Sequence, residues 1–477
     1  MSEEKEKVMM CLKKRRVKPV GVLCFMTCSA FAVLAQNGSF ERLDAIINSE
    51  LKETNTPGAA VVIVKADRMV FSNGFGRANV ETNEPATAEM LFRTGSMTKM
   101  FTALTLLSLV AEGKVKLDEP VGKYLKGLTP RIALITFHLL LTHTSGIRDE
   151  GRPYGPHDES ALRDAARNIK DDYLFTEPGQ IFSYSNLNYV LVGAAMEEIA
   201  AKPYADSVSE RLLKPLGMTR TTFRPTEAMT WPLAQGHNAR GDAQPAVVRP
   251  FTDNVAGWPA GFLFSSANDL ARFALAFLNR GMLDGKQPIA QTNIGAMSAA
   301  SVDIPGIPVK YGYGLRVEYI RGVPIVGHGG AIPGFGAQIL MSPEHRVAVI
   351  VLTNKSGARL EKTVETALEM MLPLKTKPEA KPKPSLTIPD EEMRSLVGMY
   401  SHSPRQFFEI VVQQGKLFLK DEEDLLPLQK IGVNRFLMRQ GNAPEPEDVT
   451  FVTGKDGKPA YLHINGRAFR KAANEKK

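Results

Sequence analysis

Ser96 and Lys99 stand three residues apart at the head of an apolar stretch, Ser96-Met97-Thr98-Lys99-Met100-Phe101, directly behind Gly95. On a helix that spacing puts the two side chains on one face, a turn apart. A serine hydroxyl is a weak nucleophile until a base removes its proton. A lysine can be that base when burial lowers its pKa far enough to leave the amine partly neutral. The helix N-terminus adds free backbone N–H groups and the positive end of the dipole beside the hydroxyl. The spacing alone says little, because Ser2/Lys5 and Ser49/Lys52 share it. The first of these falls in a charged tail and the second near the end of an amphipathic, surface-facing helix. Only Ser96 opens an apolar helix after a glycine. The competing reading is a capping serine with a lysine that snorkels to solvent.

Two other stretches carry compatible chemistry. Tyr184-Ser185-Asn186 is the only Tyr-x-Asn in the chain and precedes an apolar helix. A phenol there can shuttle a proton between Ser96 and a leaving group if neighbouring cations favour its phenolate. Asn186 can hydrogen-bond a substrate amide or hold Lys99. The bland alternative is a core tyrosine beside an asparagine cap. Val326-Gly327-His328-Gly329-Gly330-Ala331 ends a strand. Glycines there admit a close backbone approach, and backbone N–H groups can stabilise an acyl oxyanion. The alternative is a glycine-rich hairpin with an incidental histidine.

The elements that must position these residues follow from periodicity. Met97, Met100, Phe101, Leu104, Leu107 and Val110 recur at helical spacing up to a stop at Glu112-Gly113, and Leu106 and Leu109 widen the apolar face. Such a helix is buried on most sides. Further helices are expected over 187–200 and 360–372, and one capped by Ser265-Ser266 with Phe273 and Phe277 inward. Hairpins are expected at 59–64/69–75, 314–319/323–327 and 336–341/347–352. Strands from both ends therefore enclose a helical middle, which gives an α+β class: one antiparallel sheet flanked by helices, plus a helical subdomain. Residues 374–389 are rich in Lys and Pro and read as a linker. Beyond them, short alternating runs separated by Gly, Asn and Asp predict a small all-β barrel of about eight strands over 390–477.

Composition narrows the class. The 477 residues are 43% hydrophobic and 23% charged, enough for a large core and a second domain. Five Lys or Arg between residues 13 and 18, an apolar run over 20–34 and small residues at Val33 and Ala35 read as a signal peptide over 1–35. This predicts export to a periplasmic or extracellular compartment, the alternative being an N-terminal membrane anchor. Cys11, Cys24 and Cys28 all lie in that segment, so a cleaved chain has no disulfide, thiol or cysteine-metal chemistry. Residues 1–35 carry seven Lys or Arg and three Glu, so half of the formal +8 leaves with them. With no aromatic-interleaved basic patch in the remainder, nucleic-acid binding is not expected.

Taken together, Ser96-x-x-Lys99, Tyr184-x-Asn186 and His328-x-Gly330 occur in the order found in the serine β-lactamase and penicillin-binding-protein superfamily. The chain resembles its class C β-lactamase-like and D-aminopeptidase/esterase branch over roughly residues 38–372. Leu141-Thr142-His143-Thr144-Ser145-Gly146, Gly312-Tyr313-Gly314-Leu315 and the stretch 327–335 add to the resemblance. It implies a hydrolase domain over 36–373 with Ser96 as nucleophile, Lys99 as base and Tyr184 as proton relay. It implies an oxyanion hole at the backbone N–H groups of Ser96 and Ala331, and substrate contacts from Asn186, His328, Gly329 and Gly330. It implies an acyl-enzyme with no metal and no cofactor, acting on a small-molecule or peptide ester or amide. The barrel looks like the lipocalin-like domain appended to many such hydrolases. One departure is His328 where β-lactamases and DD-peptidases usually carry lysine. Lys355-Ser356-Gly357 is a rival for that site but reads as a surface turn. A histidine with an ordinary pKa of about 6.5 is mostly neutral, so it predicts faster turnover of uncharged esters than of carboxylate-bearing substrates. The second functional reading is a penicillin-binding or muropeptide-sensing protein with little turnover.

Overall fold

In the computed structural model the described residues are 40–238, 243–299, 301–379, 383–439 and 446–472. The expected signal segment, with all three cysteines, lies outside them, as do residues 380–382 of the Lys/Pro-rich stretch. The chain divides into two units, 1–46 and 47–477, and of the first only the helical residues 40–46 are described. Among the described residues no helix is long and apolar enough to cross a membrane.

A nine-stranded antiparallel sheet forms the backbone of the second unit. Its strands run in the order Glu84–Pro85, Arg68–Asn79, Gly58–Lys65, Val347–Thr353, Phe335–Ser342, Val323–Ile332, Arg316–Ile320, Val309–Tyr311 and Val302–Asp303. Two adjacent interior strands, Gly-Ala-Ala-Val-Val-Ile-Val-Lys and Val-Ala-Val-Ile-Val-Leu-Thr, are apolar at nearly every position because both faces are covered. Ala60, Val62 and Val64 pair with Leu352, Ile350 and Ala348 and join the main core, against which the helix Ala267–Leu278 packs. Alternate residues turn to the other face, where the helix Glu361–Met371 lies on Val347–Thr353. Buried Glu50 caps that helix, accepting from Lys362 N–H (2.8 Å), Thr363 N–H (2.8 Å) and the Thr363 hydroxyl (2.7 Å).

Between the two halves of the sheet the chain makes a helical layer. It includes Thr98–Ala111, Phe137–Leu141, Ala161–Arg167, Asn186–Ala200 and Tyr204–Val208. Eleven of the fourteen residues of Thr98–Ala111 are buried, so this helix runs through the core rather than over it. The expected α+β class is what the structure shows, and the terminal module is a closed barrel of eight strands paired in sequence order from Gly398–Ser403 to Arg467–Lys471. Tyr400, Ile410, Leu419, Phe436, Phe451 and Leu462 fill its interior. Six of its strands coincide with the alternating runs. The first and last, which pair with each other to close the barrel, carry no such alternation.

Candidate active site

Ser96 sits in a single 3₁₀ turn, Gly95–Met97, that feeds the helix Thr98–Ala111. Gly95 has φ +53°, and a Cβ there would lie 2.6 Å from Ala331 N, so only glycine lets the turn meet the strand Val323–Ile332. Gly330 is as constrained, since its Cβ would lie 1.9 Å from Thr94 O and 3.2 Å from Ser96 N. Backbone therefore touches backbone, and the Ser96 and Ala331 amides implied as an oxyanion hole flank one junction. The neighbouring strand Arg316–Ile320 pairs with Val323–Ile332 only as far as Gly327. His328, Gly329, Gly330 and Ala331 thus present an unpaired strand edge to the Ser96 turn.

Lys99 is fully buried. Its Nζ lies 3.2 Å from Ser96 Oγ, 2.8 Å from Asn186 Oδ1 and 2.6 Å from the Ala260 carbonyl oxygen. Asn186 Oδ1 and the Ala260 carbonyl can only accept. A neutral amine has two hydrogens and one lone pair, so donating to both directs the lone pair at the Ser96 hydroxyl. Burial supplies that neutral form: desolvation brings the Lys99 pKa down to about 7, with Asp149 opposing and Arg467 assisting.

Asn186 opens the helix Asn186–Ala200. Its Nδ2 donates to both oxygens of Asp149 (3.2 and 3.3 Å), and its backbone N–H to Asp149 Oδ1 (2.9 Å). Because a carboxylate only accepts, Asp149 fixes which way the amide faces and turns its oxygen to Lys99. Asp149 keeps its pKa below the usual carboxylate range: burial opposes this, but the Arg467 guanidinium and the Asn186 N–H outweigh it.

Tyr184 precedes this helix. Its ring lies 4.8 Å from Lys99 Nζ and 4.3 Å, centroid to centroid, from His143. Its hydroxyl is beside the Ser96 side chain but finds no partner of ordinary hydrogen-bond geometry. The condition that neighbouring cations favour a phenolate is not met. Desolvation outweighs Arg467 and Arg359 and drives the Tyr184 pKa well above its ordinary value, so the resting group is a phenol. His143, at φ +57°, accepts from Ser185 N–H (3.1 Å) and Asn188 Nδ2 (3.2 Å), and burial keeps it neutral.

His328 is buried and its pKa falls to about 3, chiefly through desolvation and then through Lys99. Its Nδ1–H donates to the Gly329 carbonyl, which leaves Nε2 to accept from the Tyr311 hydroxyl (2.9 Å). Both ring nitrogens are engaged, so His328 shapes the wall rather than offering a free donor. His328 makes no hydrogen bond to the Tyr184 hydroxyl, because Tyr311 occupies Nε2. Lys355 donates to the Thr54 carbonyl and lines neither of the two cavities at Ser96.

Those cavities meet at Ser96 and Ala331. One, of about 510 Å³, is walled by Tyr184, Arg316, His328, Arg359 and, from the barrel, Asn465 and Arg467. The other, of about 760 Å³, is walled by Tyr154, Pro156, Leu187, Val190, Phe262 and Ile332. Loop 148–158 contributes residues 150–156 to this larger cavity, whereas among the described residues of loop 235–255 only Asn254 takes part. Asp149, Ala260, Tyr311, Arg316, Arg359 and Arg467 were not anticipated as parts of the site. None sits in a motif that announces it. Arg316 and Tyr311 could have been found from register, since Arg316 pairs with Tyr311 on one side and with Gly327, next to His328, on the other.

A family model described as Beta-lactamase matches residues 43–369. Penicillin-binding protein 4 of Amycolatopsis lactamdurans is 30% identical over 329 residues, covering 66% of this chain and 84% of that protein. Protein flp of Staphylococcus aureus (strain MW2) is 28% identical over 335 residues, 69% of this chain. The chain spans 66% of the length of that relative, just under two thirds. Among solved structures, SurE superposes with a TM-score of 0.75 at 25% identity, covering 92% of this chain and 100% of SurE.

Proposed function

Since the chain belongs to the beta-lactamase family, whose members are serine hydrolases of amides and esters, we propose that it is an exported hydrolase that works through an acyl-enzyme at Ser96. The observation that carries this reading is the arrangement at Lys99. Two fixed acceptors take its hydrogens, its lone pair is left to Ser96, and burial holds its pKa at about 7. Lys99 takes the Ser96 proton as Oγ bonds to the substrate carbonyl carbon. The Ser96 and Ala331 N–H groups carry the charge that develops on the carbonyl oxygen. As the carbon to leaving-group bond breaks, Tyr184 gives its proton to the leaving group and regains one from the Lys99 ammonium. Water then attacks the ester, its proton passing to Lys99 and on to Ser96. Because phenolate is costly in this site, Tyr184 gives and regains its proton without resting in the ionised form.

Tyr184 lines only the smaller cavity. The leaving group that it protonates therefore lies there, among Arg316, Arg359 and Arg467, and the acyl part lies in the larger, more apolar cavity. This revises the substrate expectation. His328 is neutral, as an uncharged-ester preference requires, yet the fold brings arginines to the same wall. Among the described residues neither Arg316 nor Arg359 has an acidic partner within ion-pair distance, and Arg316 Nε is buried without a hydrogen bond. The reading is an ester or amide, peptides of D-amino acids included, whose leaving group ends in a carboxylate. No metal or cofactor enters the steps.

In domain terms we propose a signal segment over 1–35, a hydrolase over 36–373, a linker over 374–389 and a lipocalin-like barrel over 390–477. Sequential pairing of eight strands into a closed, up-and-down barrel supports the last. Within the superfamily we propose the class C β-lactamase-like and D-aminopeptidase/esterase branch, and His328 at the third motif favours its esterase-like side over true β-lactamases. A penicillin-binding sensor is the second reading, favoured by the naming of the Amycolatopsis relative. Mass spectrometry over time after mixing with a cephalosporin, a D-Ala-D-Ala peptide and a p-nitrophenyl ester separates the two. A hydrolase releases product repeatedly with no lasting adduct. A stable stoichiometric adduct with every substrate would replace the hydrolase by the sensor.

A further inference from the structure

The geometry points to Arg467, delivered by the C-terminal barrel, as a positioning residue for the Lys99 base, acting through Asp149 and Asn186. The inference rests on the Ser96/Lys99 reading above. Arg467 begins the closing strand Arg467–Lys471, just past the turn at Asn465 (φ +51°) and Gly466 (φ +76°). That turn is fastened to the segment carrying Tyr184. The Gly466 carbonyl accepts from Tyr184 N–H (2.8 Å), and Ala468 N–H donates to the Ser183 hydroxyl (3.1 Å). Arg467 Nη2 then reaches Asp149 Oδ2 at 2.5 Å. A second barrel residue grips the same loop, because His402 Nε2 accepts from Asp149 N–H (2.9 Å) while its Nδ1–H donates to the Ala468 carbonyl (2.8 Å).

The chain of contacts runs Arg467, Asp149, Asn186, Lys99, Ser96, and each link fixes the next. Asp149 is 7% exposed, so its carboxylate needs a charged partner more than a surface group would. With Arg467 in place it holds the Asn186 amide hydrogens, and the Asn186 oxygen is committed to Lys99. The titratable groups facing Lys99 are Asp149, Tyr184, Tyr189, His143, His328 and Arg467. Burial keeps both histidines and both tyrosines neutral. Asp149 and Arg467 remain as the charges acting on the base, in opposite senses: the carboxylate favours the ammonium and the guanidinium disfavours it. A pair that merely docked the barrel would have no reason to sit one amide away from the catalytic amine.

The test is the pH dependence of the rate at which a fluorophosphonate phosphonylates Ser96, with loss of fluoride, in the full chain from mildly acidic to mildly alkaline conditions. The wild-type acid limb is expected to fall near the Lys99 pKa of about 7. Arg467→Gln leaves Asp149 uncompensated and should move that midpoint up by about one pH unit, and Asp149→Asn should move it down by a similar amount. Arg467→Lys should restore most of the wild-type profile. Equal slowing in all variants with an unmoved midpoint, or shifts of the same sign, would reduce the pair to a docking contact. If Arg467→Gln does not fold, Asp149→Asn alone must still shift downward. Absence of any Ser96 adduct in the wild type would instead remove the nucleophile reading itself.

Discussion

At the scale of single residues, burial decides the protonation states. Lys99, Tyr184 and His328 are all pushed toward their uncharged forms by desolvation, and each gains a different use from it. A neutral amine can take a proton, a neutral phenol can give one, and a neutral imidazole holds a wall in place. In the proposed reading, positive charge for substrate comes from the guanidinium groups of Arg316 and Arg359, which line the smaller cavity. Arg359 lies against the open strand edge, with its guanidinium 3.2 Å from where a Gly329 Cβ would be. Arg359→Ala should therefore raise KM for a carboxylate-terminated peptide about tenfold, the order of one hydrogen bond to a charged group. The same change should leave KM for an uncharged p-nitrophenyl ester nearly unaltered. Steady-state kinetics on the two substrates checks this, and an equal loss on both would show that Arg359 only supports the fold.

Among elements, the helix Thr98–Ala111 is met closely by backbone at Gly314. Gly314 has φ +75°, and a Cβ there would lie 2.5 Å from the Lys99 carbonyl oxygen. Gly314→Ala should cost more than about 1 kcal/mol, since alanine is strained at positive φ even where space allows. The melting temperature and the rate of Ser96 acylation should fall together. A variant that melts normally and acylates normally would show that this contact does not hold the helix. The helix itself was legible in the sequence, because seven-residue stretches of its apolar pattern leave few alternatives. The hairpin strands were legible for the same reason, whereas Ser96, Lys99, Tyr184 and Asn186, which the structure brings together, were linked only by the order of their motifs and the resemblance it carries. Asp149 and Arg467 were not. They are 318 residues apart, neither shows a pattern, and Arg467 starts a five-residue strand whose partner in closing the barrel lies more than 60 residues earlier. Pairing of that kind is set by closure of the barrel, which local periodicity does not report. The single 3₁₀ turn at Ser96 was also missed, because apolar spacing does not separate 3₁₀ from α over three residues.

For the whole molecule, the barrel and the hydrolase fold fall in one unit, 47–477. Their contacts are concentrated at the site: Arg467 with Asp149, Gly466 with Tyr184, Ala468 with Ser183, and the Tyr461 hydroxyl with Thr176 at 2.6 Å. Appending a barrel in this way walls one end of the smaller cavity and places Arg467 against Asp149.

The account stands on Ser96 being made nucleophilic by a neutral Lys99. Peptide mapping by mass spectrometry after brief treatment with a fluorophosphonate at mildly alkaline pH tests this most directly. The wild type should carry one adduct, on the peptide containing Ser96. Ser96→Ala should carry none, and Lys99→Arg, which keeps a charge but cannot become neutral, should label at least a hundredfold more slowly, the lower end of what a general base contributes. An adduct on Ser145, Ser185 or Ser266, or undiminished labelling of the Lys99→Arg protein, would contradict it.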